Sequence, residues 1–85
     1  MRGLTRGLSR EIGTRGITAV LVQPGPTDTD ANPADAPHAP TLRELTGLGR
    51  YASPADIAAT VAHLAGDGGR HITGTTITID GGLNA

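Results

Sequence analysis

Leu4, Leu8 and Ile12 recur every four residues, with Arg2, Arg6, Arg10 and Glu11 elsewhere on the same stretch. Apolar positions at that spacing predict an amphipathic helix. Gly13 suits the left-handed residue at its C-terminal end, and Gly16 a turn. No Ser, Asp or Asn precedes Arg2 as a cap, so the element reads as one that extends upstream of Met1. Ile17 to Gln23 then predicts a strand, and its continuous apolar stretch Ala19–Val22 suits a parallel strand covered on both faces. Pro24-Gly25-Pro26 stops it.

Ala31 to Pro40 is a Pro/Ala-rich loop. Thr41-Leu42-Arg43-Glu44 matches a capping box and predicts a short helix over Leu42–Thr46, ended by Gly47-Leu48-Gly49. Ser53-Pro54-Ala55-Asp56 opens the best-marked helix: Ser53 as N-cap, Pro54 at the first position, Asp56 at the positive end of the dipole. Ile57, Val61 and Leu64 form its apolar face, and Gly66 ends it. A second strand, Thr76–Ile79, is followed by Asp80-Gly81-Gly82. Two strands joined by a helical crossover imply parallel pairing and a right-handed connection.

Eighty-five residues allow one small domain with little core. Tyr51 is the sole aromatic, which removes the largest contributors to a core. The net charge of −1 and the interspersed charges give no basic stripe for nucleic acid and no polybasic membrane patch. The chain has no cysteine, no apolar run long enough to span a membrane and no signal-peptide core at its start. A cytoplasmic location fits this composition. His38, His63 and His71 lack metal-ligand spacing, and Asp28 and Asp30 read as solvated loop acids. No metal site and no catalytic residue is assigned.

Ligands of open parallel sheets bind beyond the carboxyl ends of the strands, which is where Pro24-Gly25-Pro26-Thr27-Asp28-Thr29 sits. Gly25 has no Cβ to block backbone approach. Taken alone, the same loop reads more readily as a strand-ending turn.

In order and spacing, several segments resemble the short-chain dehydrogenase/reductase family. Gly3–Leu8 with Glu11-Ile12-Gly13 is similar to the family's helix that carries the catalytic lysine near its start. Pro24–Thr29 is similar to its PG-x-x-x-T loop, and Gly49-Arg50-Tyr51 with Ser53-Pro54 and Asp56-Ile57-Ala58 to the run into its last helix. Ile72-Thr73-Gly74 and Ile79-Asp80-Gly81-Gly82 resemble its final strand and closing turn. Within the family the flavour is that of the 3-oxoacyl-carrier-protein reductases. Position 19, often asparagine there, is Ala19.

The resemblance implies an α/β fold: the last two strands and flanking helices of a Rossmann-like, doubly wound parallel sheet. Residues 1–85 are then the C-terminal segment of a single oxidoreductase domain. It implies NAD or NADP as cofactor, with Pro24, Gly25, Thr27 and Thr29 as the cofactor-binding residues. Thr27 would meet the nicotinamide carboxamide through its backbone, and Thr29 would offer a hydroxyl. It also implies a small carbonyl or alcohol substrate, a lid over the Ala31–Leu48 region, and a homo-oligomer for the intact enzyme. All seven basic residues are arginine, so the family's Tyr-x-x-x-Lys pair is missing, and Tyr51 has Ala55 four residues on. The glycine-rich first turn is missing too. The chain is therefore expected to be inactive alone. The alternative is a non-catalytic module that docks on full-length reductases through its last helix and strand.

Overall fold

The computed structural model of the chain describes residues 1–83. Three helices and two strands follow one another: α1 (Arg2–Gly13), β1 (Val20–Pro24), α2 (Ala39–Leu45), α3 (Pro54–Ala65) and β2 (Thr75–Ile79), with a 3-10 turn at Asp67–Gly69 before β2. β1 and β2 pair as a two-stranded parallel sheet, so the fold is α/β.

α3 spans the expected residues because its first turn is closed from both sides. The Asp56 amide donates to Ser53 Oγ at 3.3 Å, and the Ser53 amide donates to Asp56 Oδ2 at 2.8 Å. This is a capping box with Asp in the place of Glu, and it satisfies two amides that helix geometry leaves unpaired. The sequence reading had seen only half of it.

α2 differs from expectation. It starts at Ala39, three residues before the predicted start, with His38 at the N-cap and no side-chain cap. Thr41 therefore lies inside the helix, and the Thr41–Glu44 capping box does not form. Pro40 sits in the first turn. Its missing N–H has no partner to lose there, so it starts the helix rather than blocking it.

At the end of α1, Gly13 is not the left-handed residue. Thr14 stays right-handed with φ −62°, and Gly16 takes φ +74° instead. β1 starts at Val20 rather than Ile17. The preceding residue is tied differently: the Ala19 amide donates to Thr73 Oγ1 at 2.9 Å, and its carbonyl accepts from the Gly74 amide at 2.8 Å.

The chain divides into two compact units, residues Met1–Gln23 with Thr60–Ile77, and residues from Pro24 to Ala59 with those from Thr78 on. In the first, α1 contributes no buried residue; Leu4 is 67% and Met1 80% exposed. Val20, Leu21 and Val22 are only half-buried, so the expected two-sided cover of β1 is not present among the described residues. In the second, the buried positions are Ala39 and Thr46. Thr46 tolerates burial because its hydroxyl donates to the Arg43 carbonyl and accepts from the Gly49 amide. No large side chain is fully buried among the described residues. No helix is long and apolar enough to cross a membrane among the described residues.

Candidate functional site

The Pro24–Thr29 loop belongs to the second unit, and its shape follows from three backbone ties. The Gly25 amide donates to the Ile79 carbonyl at 3.0 Å, which continues the pairing of the strand ends by one residue. Thr27 then forms an isolated parallel bridge with Ala52. In this bridge the Ala52 amide donates to the Pro26 carbonyl and the Asp28 amide donates to the Ala52 carbonyl, both at 2.9 Å.

A parallel bridge of this kind uses the groups that flank the central residue and turns that residue's own N–H and C=O the other way. Accordingly, the Thr27 N–H and C=O make no hydrogen bond among the described residues. The Thr27 hydroxyl is engaged locally, donating to the Gly25 carbonyl at 3.0 Å. Thr27 thus presents one backbone donor and one backbone acceptor, side by side, on a strap held at both flanks.

Thr29 sits where the loop turns. Its amide donates to the Asn32 carbonyl, and the Asn32 amide donates back to its carbonyl at 3.1 Å and lies 3.2 Å from its hydroxyl oxygen. That hydroxyl oxygen accepts, so its proton remains free to donate. Asp28 is held as a structural acceptor, its Oδ1 taking the Ala34 amide at 2.8 Å. Arg43 pins the same loop by donating to the Ala34 carbonyl.

A Cβ added at Gly25 would lie 2.7 Å from both Cα and Cβ of Asp80. The space that glycine leaves open is taken by Asp80 of the closing Asp80-Gly81-Gly82 turn. That turn is itself ordered: the Gly82 amide donates to Asp80 Oδ1 at 2.9 Å, and the Gly81 carbonyl accepts from the Leu48 amide at 2.8 Å. Sequence reading missed this contact because 55 positions separate the partners and nothing local in either motif announces the other.

A cavity of about 140 Å³ in the same unit is lined by Leu48, Tyr51, Ala52, Ile79 and Gly81, among others. The Tyr51 hydroxyl is buried and has no hydrogen-bond partner among the described residues. An unpaired buried hydroxyl costs about 1–3 kcal/mol, and its removal is neutral or stabilising. Tyr51→Phe is therefore expected to raise the unfolding midpoint in urea or leave it unchanged. A clear drop would mean that the hydroxyl has a partner in solution. No cluster of three or more His, Cys, Asp or Glu side chains is placed to hold a metal ion among the described residues.

The family model described as Enoyl-(Acyl carrier protein) reductase matches residues 1–84. The chain belongs to the short-chain dehydrogenase/reductase family. Over its whole length it is 47% identical to the cyclic-di-GMP-binding biofilm dispersal mediator protein of Escherichia coli, of which it covers 36%. Over 98% of its length it is 40% identical to a 3-oxoacyl-[acyl-carrier-protein] reductase of Pseudomonas aeruginosa, covering 34% of that protein. Among solved structures, a blue fluorescent protein from a metagenomic library, in complex with NADPH, is 50% identical. It superposes with a TM-score of 0.95 over 99% of this chain and 34% of its own. This short-chain dehydrogenase/reductase chain thus spans about a third of the length of the relatives it matches.

Proposed function

We propose that this chain supplies the nicotinamide-facing loop of an NAD(P)(H)-dependent oxidoreductase that acts on a carbonyl or secondary alcohol. It corresponds in this reading to the C-terminal segment of a single Rossmann-like domain. The observation that carries the reading is the unpaired N–H and C=O of Thr27, fixed by the bridge to Ala52. A primary carboxamide carries both a donor and an acceptor, so the Thr27 C=O and N–H would hold it. Thr29 donates its hydroxyl proton to a carboxamide or phosphate oxygen while holding the Asn32 amide. Pro24 and Gly25 act indirectly: they turn the chain and lock it to Ile79 and Asp80. A bound nicotinamide supplies the hydride. The NADPH complex of the metagenomic relative supports this cofactor class.

The proton chemistry is not supplied by these residues. The chain has no lysine, and Tyr51, a half-buried residue with a buried hydroxyl, lines a cavity with Leu48, Ala52 and Ile79. Positioned acid–base groups are typically worth about 10²–10⁴ in rate. We therefore expect no turnover of NADPH with a carbonyl substrate by this chain alone.

Titrating the isotope-labelled chain with NADPH, followed by amide NMR, tests the binding reading. The largest shifts are expected at Thr27 and Asp28, with Gly25, whose amide is already bonded, moving least. Thr29→Val is expected to weaken binding roughly tenfold, the worth of one hydrogen bond to a charged or strongly polar acceptor. Shifts confined to other segments, or none up to several millimolar NADPH, would overturn it.

A second reading, a non-catalytic module that associates with longer family members, is favoured by the apolar side chains that the first unit leaves exposed.

A further inference from the structure

Residues 30–38 join the Thr27 strap to α2 without a helix or strand of their own. Two sets of side-chain bonds place this segment. The first grips Ala34. Its amide donates to Asp28 Oδ1 at 2.8 Å, and its carbonyl accepts from Arg43 Nη1 at 2.6 Å. Each bond has one charged partner, a carboxylate or a guanidinium. Bonds of that class are roughly twice as strong as neutral ones. Arg43 is half-buried on α2, so water competes less for its bond than at a fully exposed site.

The second set runs beside the first. His38, at the N-cap of α2, places Nε2 3.0 Å from Asn32 Oδ1, a hydrogen bond when the ring carries its proton on that nitrogen. Asn32 closes on Thr29: its amide reaches the Thr29 carbonyl at 3.1 Å and the hydroxyl oxygen at 3.2 Å. With a lone pair of that oxygen occupied, the hydroxyl proton is turned away from Asn32.

Asp28 joins the two ends of the loop. Its amide donates to the Ala52 carbonyl, one of the two bonds that orient Thr27. Its carboxylate holds Ala34, two residues beyond Asn32, and so closes the base of the turn that carries Thr29. One residue therefore ties the direction of the Thr27 backbone to that of the Thr29 hydroxyl. Fixing the backbone of one residue costs about 1–2 kcal/mol. A turn that is ordered beforehand keeps that cost out of the binding step.

We propose that Asp28, Arg43 and His38 are positioning residues that fix Thr29 as a hydrogen-bond donor to the nicotinamide cofactor. The proposal rests on the nicotinamide reading above and adds the residues that regulate it from α2. Arg43 acts through Ala34, and His38 through Asn32. None of the three touches the cofactor in this role.

The test is a double-mutant cycle on NADPH binding, read by amide NMR of the 85-residue chain. Arg43→Met keeps an unbranched apolar stem and removes the guanidinium. It is expected to weaken binding about tenfold. Thr29→Val in that background is expected to cost less than about twofold more, because the hydroxyl is no longer held. The bond to Ala34 is a single one, so Arg43→Lys is expected to recover most of the loss. Arg50→Met removes the same charge from another exposed position of the unit and is expected to leave the affinity unchanged. A direct contact of Arg43 with a cofactor phosphate would instead add its loss in full to that of Thr29→Val. Where Arg43→Met fails to fold, Asp28→Ala cuts the same link from the strap side, with the same loss and the same coupling expected. Additive losses, about a hundredfold for the pair, would overturn the proposal and leave the nicotinamide reading standing. Unchanged affinity with Arg43→Met would do the same. No shifts at Thr27 and Asp28 in the unaltered chain would overturn that reading, and the proposal with it.

Discussion

Gly25→Ala is expected to destabilise the chain by about 3 kcal/mol, the upper part of the range for overpacking a close contact. The added Cβ would sit 2.7 Å from the Cα and Cβ of Asp80, and 3.2 Å from its carbonyl oxygen. None of these atoms is the far end of a flexible side chain, so rotation about χ1 does not relieve the clash. The backbone cannot simply withdraw, because the Gly25 amide is bonded to the Ile79 carbonyl one residue before Asp80. Relief therefore requires breaking that tie and moving the closing turn, which also holds the Leu48 amide through the Gly81 carbonyl. Urea unfolding followed by circular dichroism measures the loss. Gly7→Ala is the internal control. Gly7 lies inside α1 with nothing within 4 Å of an added Cβ, so alanine there is expected to stabilise by roughly 0.5–1 kcal/mol. If both variants behave alike, the contact with Asp80 is not tight in solution. Loss of stability at Gly25 carries a functional consequence under the cofactor reading. The Thr27 strap is anchored through the same strand end, so its amide is expected to shift in the Gly25→Ala spectrum even where the chain remains folded.

How far the fold was legible depended on whether a signal was local. Ser53, Pro54 and Asp56 lie within one turn, and α3 begins where they place it. The final strand, with threonine and isoleucine alternating, was found within one residue. Errors came where two local rules competed. Thr41 and Glu44 fit a capping box, but Pro40 is equally good in a first turn, and the helix starts at Ala39. The start of β1 was misplaced because Thr73 Oγ1, 54 positions away, takes the Ala19 amide. The loop at Thr27 was visible in the sequence as a likeness to a family motif. What makes its backbone available, the bridge to Ala52, was not, since a one-residue pairing leaves no pattern in composition or spacing. The bareness of the first unit was partly legible. A chain with one aromatic and many glycines has little with which to cover an apolar strand.

The other large effect is expected at Gly69. This glycine is buried and ends the 3-10 turn that brings the chain from α3 towards β2. An added Cβ would overlap the Leu64 carbonyl oxygen and lie 2.6 Å from the Leu64 Cα and carbonyl carbon. These are backbone atoms of the last turn of α3, so only a displacement of the helix end or of the turn makes room. The turn is held on both sides of Gly69: its amide donates to the Gly66 carbonyl, and its carbonyl accepts from the Ile72 amide, both at 3.0 Å. Gly69→Ala breaks one of these or unwinds the end of α3. Either outcome shifts the lead-in to β2, where the Gly74 amide must reach the Ala19 carbonyl to set the register of the parallel pair. A one-residue slip would exchange the two faces of β2. The expected loss is at least as large as at Gly25, about 3 kcal/mol or more, which is a large share of the total for a domain of this size. Amide exchange separates the two routes to that loss. If the turn alone gives way, protection falls at Ile72 and Gly74 while the body of α3 stays protected. If the helix end unwinds, Gly66 and Leu64 lose protection as well. A Gly69→Ala chain with unchanged exchange throughout would show that Leu64 and Gly69 are not packed backbone to backbone.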